Sequence, residues 1–173
     1  NAATAILGAL FHRERTGEGA RLDISMTDSG AAMAAPFVAA WTALGAHAWE
    51  RGEALLGGGI AQYQVYETLD GRHLAVGSIE PKFFARFAEV AGHPEWRSPG
   101  LFPGPEQEPL RAAIAAVVAG RTLADWTDAL RGIDCCVTPV LDPGEAMATG
   151  LFDARGLAGS EQGASWAELP VGP

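Results

Sequence analysis

Two carboxylates stand where chemistry is easiest to build. Asp28 falls in the run Asp23-Ile24-Ser25-Met26-Thr27-Asp28-Ser29-Gly30, just after a strand-like stretch and in the first turn of the next expected helix. Ligands in α/β layers bind at the carboxyl ends of strands, and the positive end of a helix favours the anionic carboxylate that a base or nucleophile needs. Glu80, in Gly77-Ser78-Ile79-Glu80-Pro81-Lys82-Phe83-Phe84, stands at a second strand-to-helix junction. Either acid could simply complement a helix dipole, and their separation along the chain does not place them in one site. Gly57-Gly58-Gly59 could let backbone approach a ligand, but it lacks the Lys and Ser/Thr of a phosphate loop and the strand-to-helix setting of a dinucleotide motif. Alone, it reads as a hinge.

Other reactive types are sparse. Cys135 and Cys136 are adjacent, a spacing that rarely closes an unstrained disulfide and matches no zinc pattern, so they read as packing residues. His12, His47, His73 and His93 lie far apart without metal-ligand spacing, and no metal site is expected.

The elements that must position these residues follow from periodicity. Asn1 can cap a helix to about Arg15 with Ile6, Leu7, Leu10 and Phe11 as its stripe, stopped at Thr16-Gly17-Glu18-Gly19. Ala20 to Ser25 predicts a strand, and a second helix runs from about Thr27 toward Leu44 with Pro36 as a possible kink. Gly52 to Gly59 is a flexible candidate boundary. Beyond it, Gln62–Thr68 and Arg72–Gly77 predict a β-hairpin turning at Asp70-Gly71, where both residues tolerate positive φ. Helices are expected from Pro81 to about Gly92, from Glu108 to Ala119, and from Leu123 to Arg131 behind a Thr122 cap. Cys136 to Leu141 reads as an edge strand that tolerates Pro139, Asp142-Pro143 opens a short helix, and Leu151 to Pro173 reads as a tail that needs a partner surface.

Composition narrows the function. The chain has 173 residues, 48% of them hydrophobic, with a net charge of −9. That charge and the weak clustering of basic residues argue against a nucleic-acid or anionic-membrane partner. No apolar run approaches the roughly 18–20 residues needed to span a bilayer, and the start lacks a signal-peptide pattern, so a cytoplasmic protein is expected. The chain begins with Asn1 rather than Met and already reads as helix, which is expected of a piece of a longer protein.

The motifs then resemble one superfamily. Arg15-Thr16-Gly17-Glu18-Gly19 with Leu22-Asp23-Ile24-Ser25-Met26-Thr27-Asp28 resembles the RTGxGxxxDxxMxD stretch of family III CoA-transferases (CaiB/BaiF-like) and the α-methylacyl-CoA racemases related to them. Gly57-Gly58-Gly59, Tyr63, Tyr66, Thr68, Asp70-Gly71 and Ala75-Val76-Gly77-Ser78-Ile79-Glu80-Pro81-Lys82-Phe83-Phe84 are similar to the racemase stretch GGxPxYxxYxTxDGxxxAVGxIEPxFF. Cys136-Val137-Thr138-Pro139-Val140, with Asp142 and Glu145, is similar to a later element of the same proteins. Two departures stand out: Gly57 where racemases usually carry Asp, and Ile60-Ala61-Gln62 where a Pro is usual.

The resemblance implies an α/β protein, part of a Rossmann-like large domain plus a small α+β domain, from a subunit that forms an interlocked homodimer. It implies residues 1–58 in the large domain, 59–142 in the small one, and 143–173 as a linker returning toward the large domain. It also implies an acyl-CoA thioester as substrate, no cofactor, and substrate contacts at Gly57, Gly58, Gly59, Tyr63 and Ile79. In a racemase, Asp28 and a His upstream of Asn1 would exchange the α-proton of a 2-methylacyl-CoA, with Glu80 orienting the His. In a transferase, Asp28 would form an acyl anhydride. A noncatalytic dimerisation or acyl-CoA-binding remnant is the reading from another class, and the 173-residue chain alone is expected to be inactive.

Overall fold

The computed structural model describes residues 1–44, 52–156, 158–161 and 164–167; His47 lies outside them. The chain divides into two compact units, Asn1–Trp49 and Glu50–Pro173.

In the first unit, α1 (Ala2–Thr16) ends at Gly17, whose φ of 76° lets its N–H reach back to the Arg13 carbonyl at 2.8 Å. Arg13 and Arg15 in the last turn suit the negative end of the helix. Asn1 occupies the N-cap position without capping through its side chain. Its Nδ2 instead donates to Ser29 Oγ at 2.9 Å, tying the start of α1 to the next helix. The strand expected over residues 20–25 is not formed. A strand exists through its ladder, and among the described residues none pairs with this stretch. Helix α2 (Met26–Leu44) starts one residue earlier than expected and continues through Pro36, which removes one backbone donor.

The second unit holds the core. Strands β1 (Tyr63–Glu67), β2 (His73–Gly77) and β3 (Val137–Pro139) form an antiparallel sheet in the order β1-β2-β3. Helices α3 (Pro81–Ala91), α4 (Glu108–Val118) and α5 (Leu123–Ala129) supply its packing partners, and α6 (Pro143–Ala148) and α7 (Leu151–Ala154) follow. The register sets Tyr66 opposite Leu74 and Val76 opposite Val137. With a side-chain period of two, Tyr66, Leu74, Val76 and Val137 share the face that packs with Phe84, Phe87, Ile114, Val118 and Trp126. Full burial of a side chain such as Leu74 or Phe87 contributes roughly 1.5–3 kcal/mol. The polar ends of the buried aromatics are satisfied, Trp126 Nε1 donating to the Val118 carbonyl at 3.0 Å and the Tyr66 hydroxyl to the Ala61 carbonyl at 2.6 Å.

The hairpin turn differs from expectation in one residue. Only Gly71 takes positive φ, at 70°. Its N–H bonds the Thr68 carbonyl while the Thr68 N–H bonds the Arg72 carbonyl, a turn followed by a one-residue bulge. Asp70 instead accepts from Thr68 Oγ1 at 2.6 Å and from the Leu123 N–H at 3.1 Å, holding the start of α5. These donors hold its carboxyl below the usual range, Thr68 first among them. Both expected N-caps form as reciprocal capping boxes, Thr122 with Asp125 and Asp142 with Glu145. Within the expected tail from Leu151, α7 is followed by β4 (Ala158–Glu161) paired with β5 (Ala164–Ala167); residues 168–173 lie outside the described ones.

Candidate active site

Asp28 is the third residue of α2, and its side chain is exposed. Ser25 immediately precedes the helix, and its Oγ accepts the Asp28 N–H at 3.1 Å. This hydroxyl fixes the backbone of the first turn, and the exposed Asp28 carboxylate belongs to that turn, at the positive end of a 19-residue helix. The location expected from sequence therefore comes from the cap, without a preceding strand.

Glu80 lies in the other unit, at the N-cap of α3, with φ −75° and ψ 137°. Its carbonyl receives the first helical bonds, from the Phe83 N–H at 3.0 Å and the Phe84 N–H at 3.1 Å, and Pro81 follows at the position where a missing N–H costs nothing. The Glu80 carboxylate makes no capping bond and is exposed. Helix formation here uses the backbone of Glu80 and leaves the acid unspent.

The glycine run is not a loose hinge. Leu55–Gly57 forms one turn of 3-10 helix, closed by Gly58 at φ 102°. Gly58 and Gly59 are buried. Gln64 Nε2 donates to the Gly58 carbonyl at 3.0 Å, and Arg111 Nη2 to the Gly59 carbonyl at 3.1 Å. A Cβ on Gly59 would overlap the Glu53 carbonyl, and one on Gly58 would meet Gln64 Oε1 at 2.8 Å. Glycine is required here by close packing and a left-handed φ, and the run is anchored at both carbonyls.

Gly57, Gly58 and Tyr63 line one cavity of about 380 Å³, together with Leu56, Val65, Ala75, Gly77, Cys136 and Thr138 among others. Three of the five expected substrate contacts thus converge. Gly59 and Ile79 do not line the cavity. Periodicity in the hairpin could have found Val65 and Ala75, which alternate with the core residues. Nothing in the sequence signals Arg111, brought to the glycines by α4.

The two cysteines separate. Cys135 is buried, and burial pushes its thiol up. Cys136 is exposed, lines the cavity, and holds φ 55°, uncommon for a residue with a Cβ. The packing expectation holds for Cys135 and fails for Cys136, because the chain must reverse its curvature there to present the Cys136 carbonyl to the Gly77 N–H at 2.8 Å. Among the described residues, no group of three His, Cys, Asp or Glu side chains could hold a metal ion, and no helix is long and apolar enough to cross a membrane.

Comparison with known proteins gives the family. The chain belongs to CoA-transferase family III, which it matches over residues 1–171. It is 36% identical to α-methylacyl-CoA racemase of Mus musculus over 142 residues, 82% of this chain and 37% of the mouse protein. It is 28% identical to acetyl-CoA:oxalate CoA-transferase of Acetobacter aceti over 149 residues, 82% of this chain and 37% of that protein. The fold matches a CaiB/BaiF family protein from Brucella suis with a TM-score of 0.70 at 24% identity, over 97% of this chain and 45% of that one. The chain therefore spans less than half the length of these relatives.

Proposed function

We propose that this chain carries part of the active site of a racemase that inverts 2-methylacyl-CoA thioesters by exchanging the α-proton. The observation that supports it best is Glu80, an exposed carboxylate left unused by its own helix cap, as an acid that orients another group must be. The relatives include racemases at 36% identity and a transferase at 28%, which supports the family common to both activities.

In this reading Asp28 accepts the α-proton on one face of the substrate while a second acid, the His implied by the family resemblance, returns one to the other face. Removing that proton pushes charge onto the thioester oxygen, and the enolate needs donors placed there in advance. Glu80 holds the imidazole in its working orientation. Residues 1–58 belong to a Rossmann-like large domain, 59–142 to the small domain and 143–173 to the returning linker. Two subunits interlock as a cytoplasmic homodimer, which gives the exposed apolar stripe of α1 a surface to cover.

The second reading is CoA transfer, favoured by the family and by Gly57 where racemases usually carry Asp. There the Asp28 carboxylate attacks the thioester carbonyl, the CoA thiolate leaves, and an aspartyl-acyl anhydride remains for a second carboxylate to open. A single-enantiomer 2-methylacyl-CoA offered to the natural protein that carries this sequence separates the two. Loss of optical purity without any added carboxylic acid supports the racemase; turnover only with an acceptor acid replaces it with the transferase; binding with neither activity leaves a noncatalytic acyl-CoA-binding role. Glu80→Gln should lower racemisation strongly while leaving acyl-CoA affinity nearly unchanged, and full activity in that variant would return Glu80 to a helix-start acid.

A further inference from the structure

A second cavity, of about 560 Å³, opens beside the β1–β2 turn and shares no lining residue with the first. Three stretches far apart in sequence build it: the turn itself, helix α5, and the chain from Pro139 to Thr149. Its volume lies within the roughly 300–1,000 Å³ typical of small-molecule sites. Leu123, Ala124, Pro139, Leu141 and Ala148 supply its apolar surface.

The charged groups of the lining are placed by bonds they already make. Arg72 donates through Nη1 and Nη2 to Glu145, and through Nη2 also to the Val140 carbonyl at 3.3 Å. An anion must break a bidentate ion pair to reach it. Asp70 uses a single oxygen, Oδ1, to accept from both Thr68 Oγ1 and the Leu123 N–H, which fixes the carboxylate in place and holds it below the usual range. Asp128 uses Oδ1 to accept from Arg131 at 2.5 Å. Among the described residues, neither Asp70 Oδ2 nor Asp128 Oδ2 has a donor. Asp70, Asp128 and Glu145 stand against Arg72 alone, so the lining is net anionic. A bound anion therefore meets repulsion and an occupied guanidinium, whereas an alkylammonium brings three donors on an apolar stem.

We propose that this cavity is a binding site for a small primary amine with an apolar body, its ammonium reaching Asp70 and Asp128 and its body lying on Leu123, Leu141 and Ala148. Exposed ion pairs contribute little by themselves, so burial of the apolar body supplies much of the affinity and the carboxylates supply the choice of ligand. The site is separate from the acyl-thioester chemistry proposed above and does not depend on it.

The test offers the natural protein carrying this sequence three probes: 2-phenylethylamine, its uncharged analogue 2-phenylethanol, and the anion 3-phenylpropanoate. Calorimetry reads affinity, and the methyl resonances of Leu123, Leu141 and Ala148 read location. The amine should bind saturably and shift those methyls while leaving Val65 and Ala75 of the first cavity unmoved. The alcohol should bind about 3- to 10-fold more weakly, as expected when one or two exposed ion pairs are lost, and the anion should not bind measurably. Asp128→Asn should weaken the amine about two- to fivefold. Ala124→Leu, which fills the apolar surface, should weaken it roughly tenfold or more. Both positions are exposed, circular dichroism checks that each variant folds, and the probe series on the unsubstituted protein decides the matter if one does not. Absence of saturable amine binding, equal affinity for amine and alcohol, shifts confined to other methyls, or full affinity in both variants overturns the site.

Discussion

Helices α1 and α3 carry apolar residues at similar helical spacing, yet they end in different environments. Ile6, Leu7, Leu10 and Phe11 on α1 are 43–67% exposed, and α1 buries no side chain. On α3, Phe84, Phe87, Ala88 and Ala91 are all buried. The difference lies in what faces each helix. Within its own unit, α3 meets a sheet and two further helices, and Phe87 packs its ring against Phe84, Trp96 and Trp126 at centroid distances of 6.2–6.4 Å. Periodicity thus reports which face of a helix is apolar, and only the neighbouring elements decide whether that face becomes core.

The sharpest way to break this comparison is to truncate one anchor on each side. Trp126→Ala removes a fully buried ring and its bond to Val118, and should cost about 3–5 kcal/mol of unfolding free energy. Phe11→Ala, on the exposed stripe, should stay within about 0.5 kcal/mol. Urea denaturation of the 173-residue chain reads both. Comparable losses would mean that α1 is buried in solution.

A smaller effect is expected at the glycine run. Gly59→Ala forces a Cβ into the Glu53 carbonyl and should destabilise the second unit by about 1–3 kcal/mol, whereas Gly8→Ala on α1, with open space around it, should be neutral or stabilising. A harmless Gly59→Ala would restore the hinge reading.

The mildest effect is electrostatic. Arg72 Nη1 and Nη2 donate to the two Glu145 oxygens at 2.9 and 2.6 Å, and one of those oxygens also receives the Asp142 N–H at 2.9 Å. The Arg72 bond is the main reason the Glu145 carboxyl is held below its usual range. A depressed folded-state value means the contribution is full at neutral pH and is lost as pH falls through that value, below the ordinary glutamate pKa of about 4.3. The melting temperature should therefore fall at acid pH. Arg72→Ala should lower it at neutral pH and flatten the acid decline, and an unchanged decline would remove the pair from the account of acid stability.

Much of the second unit could be read from sequence because its signals are local. The Thr122 and Asp142 caps, Pro81 at a helix start, and Gly92 in the left-handed region after α3 each act within a turn or so of their own position. Pro139 in β3 fits for the same reason, since an edge strand tolerates a missing N–H. What escaped depends on distant partners. Ala20 to Ser25 has the composition of a strand without a ladder, Asp70 serves a helix 53 residues away, and Arg111 reaches the glycines from α4. The helix starts at Asp28 and Glu80 were legible from local signals. The cavity of the second unit that the glycine run lines was legible only in part, because Cys136 and Thr138 enter it through the pairing of β3 with β2.

The central claim is that the Asp28 carboxylate moves an α-proton. The most direct measurement places the natural protein carrying this sequence in heavy water with one enantiomer of a 2-methylacyl-CoA and no acceptor acid. Deuterium should appear at the α-carbon together with inversion, and Asp28→Asn should abolish both, since the amide cannot accept the proton. Undiminished exchange in Asp28→Asn would contradict the claim outright. So would turnover that requires an acceptor acid, shows no α-exchange, and leaves a hydroxylamine-sensitive acyl group on the peptide spanning Met26 to Gly30.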